Sequence, residues 1–183
     1  MDYFESLVRL LLERDHFWTR QSEKVNLTKP EKVATGKPSI PRPEIDIVAF
    51  KPRENTILAM EVKSFLDSPG VRFNELKLES DETVGSYKLF TCPKYREIVF
   101  GRLLEDYRAE GLADANTTVR LGLAAGKIYA KDELPLRNLF TSRDWLLWTP
   151  GQLAEKARKL AGVGYENDPF VLLSKLLARN PSG

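Results

Sequence analysis

Apolar side chains at Phe4, Leu7, Val8, Leu11 and Leu12 recur at three- and four-residue intervals, which predicts an amphipathic helix over Tyr3–Arg14. The pattern then turns extended. His16 to Val25 reads as a first strand with Phe17-Trp18 at its start, and Asn26 to Arg42 reads as a loop, with four prolines counting on to Pro43 and one glycine. Pro43–Phe50 and Thr56–Lys63 are rich in β-branched and apolar residues. The turn-forming Lys51-Pro-Arg-Glu-Asn55 lies between them, so they are predicted to form an antiparallel hairpin. Phe65 to Phe90 has no clean period: Asp67-Ser-Pro-Gly70 is a turn, and Val71 to Leu78 fits a short helix or a strand equally well. Pro93 to Gly111 is helical, with Ile98, Val99, Leu103 and Tyr107 in one stripe, Thr91 as its cap and Gly111 as its stop. A long apolar strand over Thr117–Tyr129 follows, carrying Val119, Leu121 and Leu123. A strand, a helix and a strand imply a right-handed crossover onto one sheet. Trp145–Trp148 adds a short strand, Pro150–Ala161 a helix, and Pro169–Arg179 a last amphipathic helix capped by Asp168. The whole predicts an α/β fold with helices flanking a mixed sheet.

Side-chain alternation along the second hairpin strand puts Leu58, Met60 and Val62 on one face and Ala59, Glu61 and Lys63 on the other. Asp46 interrupts the first hairpin strand near its start, close to where an antiparallel partner must end. Three ionisable groups therefore meet at one edge of an apolar sheet. Two carboxylates so placed repel each other unless a proton or a cation neutralises them. Oxygen ligands such as Asp46 and Glu61 suit a hard ion, Mg²⁺ or Mn²⁺, which takes its remaining ligands from water and phosphate. Phosphodiester chemistry is the reading that follows.

Asp46 on one strand and Glu61-Val62-Lys63 on the next resemble the motif of the PD-(D/E)xK, or restriction-endonuclease-like, nuclease superfamily. The family's proline usually stands directly before the aspartate, where this chain has Ile45, with Pro43 further upstream. The resemblance implies a restriction-endonuclease-like mixed sheet with an αβββαβ core and, in this chain, extra C-terminal helices. It implies a Mg²⁺-dependent endonuclease that hydrolyses nucleic acid, with DNA as the expected substrate. Asp46, Glu61 and the main-chain carbonyl of Val62 would hold the metal, and Lys63 would hold the attacking water or neutralise the pentavalent intermediate. In the Holliday-junction-resolvase and Mrr-type members a glutamate on the first helix completes the site, and Glu5 matches that placement better than Glu13 does. The alternative for Glu5 is a solvated helix face with an i,i+4 pair to Arg9. Loops beside such a site carry substrate contacts, which points to Lys37 and Arg42 before Asp46 and to Arg72, Lys77 and Lys88 after Lys63. Lys29 and Lys32 belong to the same basic run. A non-catalytic nucleic-acid-binding or scaffolding domain of the same fold within a larger complex is the competing reading. A homodimer is compatible with either.

At 183 residues, 42% hydrophobic and 30% charged, the chain is expected to be one globular domain spanning 1–183, and its net charge of +2 announces no nucleic-acid partner by itself. The single cysteine, Cys92, excludes an internal disulfide and a cysteine-based zinc site and fits a reducing cytoplasm. With no apolar run of membrane-spanning length and no basic start to a leader, no membrane partner is expected. Gly122-Leu-Ala-Ala-Gly126-Lys127 is one residue short of a phosphate-binding loop and has Ile128 where a hydroxyl would bind Mg²⁺, so a strand bend is expected there. His16, the only histidine, stands at the end of the first helix and is expected to be structural. Trp145 and Trp148 are expected in the core.

Overall fold

The predicted hairpin is the centre of a larger sheet. The structure, a computed structural model, describes residues 2–179. Among these, five strands lie side by side in chain order: β1 (Trp18–Lys24), β2 (Glu44–Lys51), β3 (Thr56–Lys63), β4 (Thr118–Ala125) and β5 (Leu146–Trp148). β1, β2 and β3 are antiparallel, whereas β4 pairs with β3, and β5 with β4, in parallel. Parallel neighbours need a crossover, and the chain between β3 and β4 supplies it with α3 (Lys88–Thr91) and α4 (Pro93–Ala109).

Each face of the sheet carries its own apolar layer. On one face Leu58, Met60 and Val62 of β3, with Ile47 and Ala49 of β2, pack against Val8, Leu11 and Leu12 of α1 (Tyr3–Arg14). Leu153 of α6 (Pro150–Lys159) and Val171 of α7 (Pro169–Arg179) close that layer. On the other face Ile57 and Ala59 of β3 and Leu121 and Leu123 of β4 meet Tyr95, Val99, Leu103 and Tyr107 of α4. Leu136 and Phe140 of α5 (Glu133–Ser142) join them. A four-residue repeat from Tyr95 to Tyr107 gives α4 a single buried stripe, and that stripe orients the crossover.

Several boundaries differ from the expectation. β1 begins at Trp18, because His16 takes a left-handed backbone (φ 67°) that stops α1, and the Phe17 amide donates back to the Leu12 carbonyl. The basic loop contains a short helix, α2 (Lys29–Ala34), started by a capping box between Thr28 and Glu31. Thr91 does not cap α4. It belongs to α3, its hydroxyl donates to the Tyr87 carbonyl at 3.0 Å, and Cys92 holds the cap position. β4 stops at Ala125 rather than Tyr129. Gly122 lies inside that strand, its missing side chain leaving room for Met60 and Leu58, and the bend expected over Gly122–Lys127 falls at Gly126. Gly126 follows immediately, where a Cβ would come within 2.4 Å of the Ser64 carbonyl. Val71 makes a single parallel bridge to Ile128, and Phe73–Glu75 forms one 3₁₀ turn, so Val71–Leu78 is neither the helix nor the strand considered. α5 is an addition to the predicted elements. Trp148 is buried, and Trp145 packs edge-on against Phe90 and Phe140, as expected for core tryptophans. Asp168 caps α7 as expected, accepting from the Phe170 and Val171 amides at 2.9 and 3.1 Å. No helix is long and apolar enough to cross a membrane among the described residues.

Candidate active site

Three ionisable side chains from adjacent strands meet at one end of the sheet. Alternation in β3 places Glu61 and Lys63 on the same side, and the Lys63 ammonium lies 2.5 Å from Glu61 Oε1. The same ammonium is 3.7 Å from Asp46 Oδ2. Asp46 Oδ2 also accepts the Val62 amide at 2.7 Å. The β2–β3 ladder runs from Lys51↔Thr56 to Ile47↔Met60 and goes no further. At the next position the Asp46 carboxylate, rather than a main-chain carbonyl of β2, takes the β3 amide, and β2 departs from β3. β1 follows β2 past this point, through Glu23↔Ile45 and Lys24↔Glu44, with Ser22 opposite Asp46 in a left-handed conformation (φ 51°). Ile45 consequently joins the α4-side layer with Val48, although strict alternation from Ile47 would have put it on the α1 side.

The electrostatics show a shortage of positive charge. Burial, then the Asp46 carboxylate, push the Glu61 pKa up, and Lys63 offsets this in part. Burial disfavours the Lys63 ammonium, but Glu61 and, more weakly, Asp46 and Glu5 outweigh it and hold its pKa above the ordinary lysine value. Glu5 reaches this cluster from α1. Burial first, then Asp46, Asp2 and Glu44, raise its pKa, with Lys63 opposing. The alternative considered for Glu5, a pair to Arg9, is not formed among the described residues. Arg9 turns to Glu13 at 2.7 Å, and Glu13 also accepts from the Thr19 hydroxyl at 2.6 Å. Glu13 is thus engaged elsewhere, and Glu5 is the α1 carboxylate that senses Asp46.

Among the described residues no group of three or more His, Cys, Asp or Glu side chains is placed to hold a metal ion. Asp46 and Glu61 converge, and Glu5 on α1 is near enough for the Asp46 carboxylate to raise its pKa. The donor chemistry still suits a hard cation: both ligands are carboxylates, and two negative charges face one ammonium.

Of the basic residues expected to meet a substrate, Arg42 and Lys88 line one cavity of about 260 Å³ together with Glu61. Lys37, Arg72 and Lys77 are exposed and lie outside that lining, Arg72 resting over the Tyr129 ring at 5.0 Å. Lys29 and Lys32 are carried on α2. Tyr95 also lines the cavity and is not among the site residues expected from the sequence. Burial, then Glu61, push its hydroxyl pKa up to about 12. Its signal is present in the sequence, one helical turn before Val99 in the α4 stripe. Ser86, from the irregular stretch, carries no such signal. The chain matches no family model, no curated protein and no solved structure in comparison with each.

Proposed function

We propose that this chain is a metal-dependent endonuclease of the PD-(D/E)xK type, hydrolysing phosphodiester bonds in nucleic acid, with DNA as the first substrate to test. The observation that carries the reading is the meeting of Asp46, Glu61 and Lys63 where β2 leaves β3. The antiparallel β1–β2–β3 meander, the helical crossover and the parallel β4 are compatible with a restriction-endonuclease-like core. In this reading Asp46, Glu61 and the Val62 carbonyl hold Mg²⁺ or Mn²⁺, with Glu5 near enough to bias the site electrostatically. Such an ion, when bound, lowers the pKa of a water and offsets charge growing on phosphate. In the metal-free site Lys63 is held protonated by Glu61 and Asp46, a bias that metal binding would relieve; in this reading it holds the attacking water or stabilises charge on the phosphoryl oxygens.

One observation favours a second reading, a non-cutting nucleic-acid-binding or scaffolding domain: Lys63 already bridges both acids, and no third carboxylate among the described residues joins them closely. A cleavage assay on plasmid, linear, branched and single-stranded substrates decides between them. Wild type should require Mg²⁺ or Mn²⁺, and Lys63→Ala should lose at least about 10²-fold in rate. Equal cutting by both proteins, or cutting without metal, removes the nuclease reading.

A further inference from the structure

We propose that the cavity beside Glu61 receives a single unpaired nucleotide, so that the substrate carries a single-stranded end or gap at the site instead of continuous duplex. This rests on the nuclease reading for its chemistry but has its own evidence. The cavity, about 260 Å³, lies just below the range usual for drug-sized ligands. A duplex keeps its bases paired and stacked, so none can enter such a space without leaving the helix. Ile40, Pro43, Leu89 and Tyr95 supply apolar and aromatic wall, the kind of surface against which a base is buried.

Charge at the cavity points the same way. Elsewhere several arginines are neutralised: Arg96 pairs with Glu79, Arg102 with Glu31, Arg120 with Asp144 and Arg137 with Glu133. Arg42 and Lys88, like exposed cations such as Lys37 and Lys77, have no carboxylate within 4 Å among the described residues, but these two line the cavity. The Arg42 guanidinium donates to the neutral Asn26 side chain, at 3.3 Å. Arg42 and Lys88 can take the phosphate of one nucleotide and the apolar wall its base, while Glu44, which also lines the cavity, lies 3.9 Å from Lys24. Glu61 forms part of the same lining, so a nucleotide held there brings its phosphate to the acidic cluster. Gly85 and Ser86 separate this cavity from a second of about 300 Å³, which offers the strand a continuation. Tyr87 lines that second space, and its buried hydroxyl has no hydrogen-bond partner among the described residues.

The test measures binding without metal, so that hydrolysis plays no part. Anisotropy of a fluorescein-labelled oligothymidylate should show affinity about tenfold tighter than for a blunt duplex of equal length. Ser86→Trp, which fills the cavity from an exposed loop position, and Lys88→Ala should each remove that preference, with urea unfolding checking that both remain folded. Equal affinity for the two probes overturns the proposal, as does a preference that survives in folded Ser86→Trp or, should that variant not fold, in Lys88→Ala. Failure of the nuclease reading looks different: the single-strand preference persists while no metal-dependent cutting occurs. Metal-dependent cutting without that preference refutes the cavity proposal alone.

Discussion

Removing the Lys63 ammonium should destabilise the metal-free protein and make its stability depend on a divalent cation. The ammonium stands 2.5 Å from Glu61 and 3.7 Å from Asp46, and all three side chains are only 14–22% exposed. At an effective dielectric of about 20, each such pair is worth about 4 kcal/mol of attraction near 4 Å. Desolvation of the three groups returns most of that, so the loss comes chiefly from leaving two partly buried carboxylates facing each other. Stripping one partner from a fully buried pair costs about 3–5 kcal/mol. With 14–22% of each side chain in water, about 2 kcal/mol is the expected loss for Lys63→Ala. In the wild type this stabilisation is present below the ordinary lysine value of 10.5 and is lost as pH rises through the higher folded value. Urea unfolding at neutral pH in EDTA measures the loss, and Mn²⁺ should then restore it. A ligand at about 100 times its Kd adds about 2.7 kcal/mol. The double variant Asp46→Ala/Lys63→Ala should gain nothing from Mn²⁺. Wild-type stability for Lys63→Ala in EDTA, or a Mn²⁺ response that survives loss of Asp46, would refute the reasoning.

Three further outcomes follow from particular contacts. The Arg102 guanidinium donates to both Glu31 oxygens at 2.8–3.2 Å, and these bonds, helped by Thr28 against a smaller effect of burial, lower the Glu31 pKa to about 2. Its stabilisation is therefore full above the ordinary value of 4.5 and fades as pH falls toward 2, so Arg102→Ala should cost about 1–2 kcal/mol at pH 7 and almost nothing near pH 2 in urea titrations. Gly126→Ala would bring a Cβ to 2.4 Å from the Ser64 carbonyl and 2.9 Å from the Phe4 ring, and should lower stability by about 1–3 kcal/mol in the same assay. Asp46→Asn keeps an oxygen for the Val62 amide but removes the charge. It should unfold at nearly the wild-type urea concentration while losing Mn²⁺ uptake by calorimetry, whereas Asp46→Ala loses both, with a stability cost of about 1–3 kcal/mol for the orphaned amide.

The parts of the fold that were legible are those where one face of an element meets the core. α1 and α4 repeat their apolar residues at the period of a helix, and β2 and β3 are legible instead as short continuous apolar runs, buried on both faces of the sheet. α2 is hidden in a proline-rich run, although Thr28 and Glu31 carry the spacing of a capping box. The predicted β4 is too long because Ile128 and Tyr129 continue its apolar character; what ends the strand is the close approach of Gly126 to Ser64, a tertiary fact. At the site, period two alone placed Glu61 beside Lys63, and antiparallel pairing placed Asp46 near both. The preference for Glu5 over Glu13 had no local warrant, and the geometry gives one through where Arg9 and Thr19 direct their hydrogen bonds and through the influence of Asp46 on Glu5.

One event in the sheet explains both the acidic cluster and the cavity. Had the β2–β3 ladder kept its register, Ile45 would face Val62 and Glu44 would face Lys63, and main-chain hydrogen bonds would close the space between the strands. Instead the Asp46 carboxylate takes the Val62 amide, β2 stays with β1, and Pro41 to Ile45 form one wall of a cleft that has Glu61 in its lining. The carboxylate that would bind an ion is thus also the group that holds the strands apart. A hydrophobic residue at position 46 would satisfy the apolar pattern of β2 better, but with the ladder ending at Ile47↔Met60 it would leave the Val62 amide without an acceptor. The side-chain oxygen at Asp46, which accepts the Val62 amide, is therefore what converts an ordinary hairpin into a strand fork with a cleft beside Glu61.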